Sequence, residues 1–190
     1  HSLGLFLRSW VTYGFLAYLP LGLLILRRNI DFLETLEHES LHAVVAIFSG
    51  RRVDELVAGR GKGQTQITPG WPSGCVFLAP YCVPLLFLPL LALSAFTSPP
   101  VKHGVNLVIG LALGFHIVAL VRTELRVRQT DLQKVGFLFS FGVIGAANAT
   151  LIVVILGIAS GEYGIILEYL EATYTRAIEF YTTVDEMGST

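Results

Sequence analysis

Long runs of apolar residues, each close to one bilayer thickness, alternate along this chain with short polar stretches. Trp10 to Leu26 is almost wholly apolar and closes on Arg27 and Arg28, a length that just crosses the roughly 30 Å of hydrocarbon in a membrane. Cys75 to Phe96, Val105 to Val121 and Val135 to Ala159 repeat the pattern. Pro80, Pro84 and Pro89 interrupt the first of these three, and because proline has no backbone N–H, that helix should kink or unwind and need its exposed carbonyls covered by neighbours. Ile30 to Phe48 is also long enough to cross, yet it holds Asp31, Glu34, Glu37, His38, Glu39 and His42. One acidic residue at a helix centre costs roughly 3 kcal/mol against about 0.5 returned by each large aliphatic residue. Such a helix cannot face lipid all round: either it lies on the membrane surface, or the other spans wrap it and its polar side faces a wet, metal-bearing cavity. The apolar Ala43 to Phe48 end favours a true crossing. The pattern therefore predicts an all-α polytopic membrane protein, a single membrane-embedded domain over residues 1–190 with about five transmembrane helices near 10–26, 30–49, 75–96, 104–122 and 134–160.

Two further elements complete the expectation. In the polar stretch 51–74, a run apolar at intervals (Val53 to Val57), a glycine-rich turn (Gly59 to Gly63) and the alternating Gln64 to Thr68 predict a short β-hairpin or edge strand. Toward the carboxyl end, residues 165–182 place Ile166, Leu170, Tyr174, Ala177, Ile178 and Tyr181 on one side, which predicts an amphipathic helix at the membrane interface or against another copy.

Composition supports the membrane reading: of 190 residues 53% are hydrophobic and 14% charged, with a mean hydropathy of +0.66, where soluble domains carry about 25% charged residues. The net charge of −1 offers no footprint for a polyanion, so nucleic acid is not an expected partner. Cys75 and Cys82 stand seven apart in an apolar run, too far along a helix to bridge, and are expected as small core residues. The first apolar run lacks a small-residue cleavage site and is expected to be retained as a span. With five crossings, most Lys and Arg, including Arg8, the 51–74 loop and the 122–134 stretch, fall on one side. That side, with the amino terminus, is expected to be cytosolic and to lie nearer His42.

The chemistry is concentrated in His38-Glu39-Ser40-Leu41-His42. Residues four apart share a helix face, so two imidazoles can take adjacent corners of a zinc tetrahedron. Glu39 is turned about 100° from His38 and is the candidate general base for a water acidified by the metal. A catalytic zinc needs a third protein ligand. Asp131, at the start of the last span, matches His42 in depth and is the first choice; His116 and Glu124 remain alternatives, the former equally readable as a core histidine bonded to Asn148, and His103 is at the wrong end. Asn148-Ala149-Thr150 spells a glycosylation sequon inside a span and is read as core. Glu34 and Glu37 are read as supports around the histidines, a water path or a solvated helix end.

These motifs, with Ala43 to Ala46, Gly50-Arg51-Arg52-Val53, Leu78-Ala79-Pro80-Tyr81, Pro84, Thr130-Asp131-Leu132 and Gly136, resemble the site-2 protease family of intramembrane zinc metalloproteases, in its compact bacterial form, over about Phe32 to Gly157. Leu41 and Leu132 stand where that family usually has glycine. The resemblance implies zinc on His38, His42 and Asp131, Glu39 as catalytic residue, and Gly63, Gln64, Thr65, Gln66, Ile67 and Thr68 as an edge strand that pairs with an unwound substrate. The expected function is a zinc-dependent endopeptidase of the cell membrane that cuts membrane proteins or peptides in or beside their transmembrane segments. The alternative is a non-catalytic metal-binding scaffold or metal-handling protein.

Overall fold

The computed structural model describes residues 9–22, 30–60, 62–70, 73–126 and 130–188. It is mostly helical with one small sheet. In chain order the elements are α1 (Trp10–Pro20), α2 (Ile30–Phe48), β1 (Val53–Ala58), β2 (Gly63–Ile67), α3 (Ser73–Cys82), α4 (Phe87–Phe96), α5 (Pro99–Arg126), α6 (Thr130–Val135), α7 (Phe137–Ser160) and α8 (Gly164–Gly188). Among the described residues two helices, over Pro99–Arg122 and Phe137–Ile158, are long and apolar enough to cross a membrane. Phe96, Leu138 and Phe48 are almost fully exposed on the outside of the fold.

The other expected spans depart from simple crossings. The far end of the first, residues 23–26, lies outside the described residues. The 75–96 run is two ten-residue helices, because Pro84 ends α3 and the chain turns through residues 83–86 before α4 begins. The orphaned groups are covered as the prolines require: the Leu85 N–H is accepted by Glu37 Oε1 at 3.0 Å, and Asn148 Nδ2 donates to the Tyr81 carbonyl at 2.8 Å.

Direction is set by glycine. A Cβ at Gly14 would strike the Leu107 carbonyl, one at Gly110 would strike the Val11 carbonyl, and Gly114 faces Tyr18. Small residues let two backbones approach closely where no hydrophobic force separates protein from lipid. Trp10 stacks on His103 and, two turns on, Tyr18 lies against Gly114 and Phe115, so residue numbers rise together along the two helices and α1 and α5 are parallel. Five alternating spans would make them antiparallel. The discrepancy lies in α2: Asp31 and Glu34 pair with Arg122 near the end of α5, and His42 meets Asp131 of α6, which follows that same end. The stretch from Asp31 to His42 therefore lies against the carboxyl end of α5 and the start of α6, and the acidic first turns of α2 are neutralised by an arginine. Trp10, stacked on His103 near the start of α5, is thus at the opposite end of that helix from Arg122.

Two clusters fill the interior. Val11, Phe87, Val105, Ile109, Leu113, Leu151 and Ile155 join α1, α4, α5 and α7. Leu78, Tyr81, Leu132 and Ile144 join α3, α6 and α7 at the end where α2 lies.

The hairpin forms where expected, with β1 and β2 antiparallel and Val57 opposite Gln64. Arg51 Nε donates to the Thr68 carbonyl at 2.9 Å and closes its base. The carboxyl-terminal helix is longer than its apolar pattern, running from Gly164 to Gly188 after a left-handed turn at Gly161. Its first turns fold back on α7, where Ile166 sits against Gly157 and Tyr169 shares a hydrogen bond with Thr150, while Leu167, Tyr174 and Tyr181 are exposed. Cys75 is exposed and Cys82 half-buried, so Cys75 is not a core residue; both are free thiols.

Candidate metal centre

The central stretch of α2 carries both imidazoles on one face. His42 is 6% exposed, and its Nδ1 lies 2.7 Å from the Val76 carbonyl of α3. A carbonyl only accepts, so Nδ1 holds the proton and Nε2 presents its lone pair. His38 packs edge-on against the Tyr81 ring at 5.3 Å between centroids. The two Nε2 atoms are 3.1 Å apart.

Asp131 reaches the same point from the other side of the site. It stands in the first turn of the six-residue helix α6. Gly136, at φ 102°, separates that helix from α7, a backbone conformation closed to other residues at little cost. Asp131 Oδ2 is 3.3 Å from His42 Nε2 and 3.7 Å from His38 Nε2. Lys134 flanks the other carboxylate oxygen at 3.5 Å.

Three ligand atoms so placed could hold a metal ion. For metal–ligand bonds of about 2.0–2.1 Å, the corners of a zinc tetrahedron are about 3.3 Å apart. The separations of 3.1, 3.3 and 3.7 Å bracket that value. Lone pairs and a carboxylate oxygen at such distances repel unless a proton or cation sits among them, and a two-nitrogen, one-oxygen set suits zinc.

Glu39 faces the hairpin. It is 8% exposed, and the Thr65 hydroxyl lies 2.6 Å from its Oε2 and 3.1 Å from its own carbonyl. A Cβ at Gly63 would come within 2.6 Å of Glu39 Cγ and Oε1 and of Thr35 Cγ2. The strand is thus laid directly on the carboxylate, and only glycine fits at its first position. Gln64, Gln66, Ile67 and Thr68 continue the strand and its exit; Gln66 donates to Glu55 of β1 and Thr68 anchors Arg51.

The remaining candidates fall elsewhere. His116 is buried, with Nε2 3.2 Å from Asn148 Oδ1, the core arrangement that the sequence left open. Asn148 is fully engaged, also donating to the Tyr81 and Ile144 carbonyls. The Glu124 side chain lies outside the described residues. His103 stacks on Trp10 at the far end. Glu34 pairs with Arg122, and Glu37 caps the broken helix at Leu85. Of the site's surroundings, Tyr81 fell within a motif of the family resemblance without a role assigned to it, and the Val76 carbonyl carried no signal beyond the proline four residues on. No protein-family model, curated protein or solved structure matches the chain.

Proposed function

We propose that this chain is a multi-pass membrane protein acting as a zinc-dependent intramembrane endopeptidase. The observation that carries the reading is the convergence of His38, His42 and Asp131 at separations suited to a tetrahedral cation, with Glu39, next in the chain to His38, held by the Thr65 hydroxyl of β2. Zinc, when bound, supplies Lewis acidity toward a carbonyl and lowers the pKa of water. The chain's own residues supply the rest. Glu39 takes the proton of the attacking water and returns it to the leaving amine, its carboxylate oriented by Thr65. The edge of β2 turned away from β1 pairs with the backbone of an extended substrate, so that recognition tolerates many side chains.

The parallel packing of α1 and α5 favours four traverses, by α1, α3 with α4, α5 and α7, with α2 tucked into one half. The end bearing Arg51, Arg52, Arg60, Lys62 and Lys134 is cytosolic by the positive-inside tendency, which puts the site in the cytosolic half of the cell membrane. The substrate is then a peptide bond in or next to a transmembrane segment.

A structural zinc has no use for a general base. We expect Glu39→Gln to retain zinc and lose cleavage of tagged single-span membrane proteins by at least about 100-fold, as measured by metal analysis and gel assay on the same preparation. Wild-type cleavage by Glu39→Gln would refute the peptidase and leave a metal-binding scaffold.

A further inference from the structure

Helix α3 contains Pro80, and in an α-helix the N–H of residue 80 would bond to the carbonyl of residue 76. Proline has no N–H, so that bond cannot form. The Val76 carbonyl is the group that the His42 Nδ1–H takes at 2.7 Å. The same helix gives up a second carbonyl at its end, four residues before Leu85. The Leu85 N–H is diverted to Glu37, and the Tyr81 carbonyl goes to Asn148, while the Tyr81 ring rests on His38. Both imidazoles thus lean on a helix whose own ladder is incomplete where they touch it.

We infer that Pro80 is a positioning residue of the metal centre: by withholding an N–H, it leaves the Val76 carbonyl to fix His42 in the tautomer that turns Nε2 toward the cation. The inference rests on the metal reading above. A carbonyl already holding an intrahelical N–H still has a second lone pair, but it is a weaker and differently aimed acceptor for a buried imidazole. Partners of this kind set ligand tautomer and orientation, and their loss costs about 10- to 100-fold in metal affinity.

The test compares wild type, Pro80→Ala and Pro89→Ala, the last changing a proline in α4 away from the imidazoles. Zinc affinity is read by competition with a chelator, and the His42 tautomer by nitrogen NMR of the metal-free protein. Pro80→Ala should bind zinc about 10- to 100-fold more weakly and shift His42 toward the Nε2–H form, while Pro89→Ala matches wild type in both. If Pro80→Ala binds as tightly as wild type, the inference about Pro80 fails and the metal reading survives. If wild type itself takes up no zinc, the metal reading fails as well. Should Pro80→Ala not fold, the wild-type spectrum decides: a His42 carrying its proton on Nδ1 supports the inference, and one carrying it on Nε2 overturns it.

Discussion

At the residue scale the two faces of the HExxH helix do different work. One face offers His38 and His42 to Asp131; the neighbouring position turns Glu39 toward β2. Gly63 lies at that second contact, and its replacement by alanine forces the Glu39 side chain to move. Gly63→Ala is expected to keep zinc yet lower turnover by about 100-fold, the scale of loss that follows a displacement of about 1 Å at a reacting group. Metal analysis beside a cleavage assay checks it. The third ligand is tested in the same way. Asp131→Ala should lose zinc, whereas His116→Ala, whose imidazole serves Asn148, should retain it. The opposite pattern would move the site. The histidine pair and its glutamate were legible in the sequence because helical periodicity alone puts them side by side. Asp131 was one of several candidates, since it stands 89 positions along the chain from His42 and only packing brings them together.

At the scale of elements, the proline-rich run and the α1/α5 pair show what pattern can and cannot convey. Three prolines announced a break, and the break occurs, but which groups would cover it could not be read from the run itself. Glu37 and Asn148 do so from two other helices. The glycines of α1 and α5 looked like ordinary small residues in apolar runs. They are the contact surface, with carbonyl oxygens where a methyl group would go. Gly110→Ala should destabilise the fold by about 1–3 kcal/mol, the usual range for forcing atoms into a filled interface, measured by detergent-titration unfolding. An alanine at Gly104, which has open space around it, serves as the comparison and should cost much less.

For the whole molecule, the four-traverse topology proposed from the parallel pair can be tested directly. An epitope placed ahead of Ser9 and a cysteine at Arg60 should be reached from opposite faces of sealed vesicles of one orientation. Five alternating crossings would expose both from the same face. Labelling from the same face would mean that α2 does cross. The packing of α2 also explains how a chain this apolar tolerates Asp31, Glu34 and Glu37: Arg122 pairs with the first two and the Leu85 N–H donates to the third.

Hydropathy and periodicity, which depend only on neighbours along the chain, by themselves determined that helices dominate, that a hairpin follows α2, and that two imidazoles and a carboxylate share one short stretch. The tertiary structure alone decided which distant carboxylate joins them, that α1 and α5 run parallel, and that an arginine of α5 answers the acids of α2. Those outcomes depend on close contacts between segments far apart in the chain, where a backbone carbonyl against a glycine or an arginine beside two acids outweighs anything a single run of residues can signal.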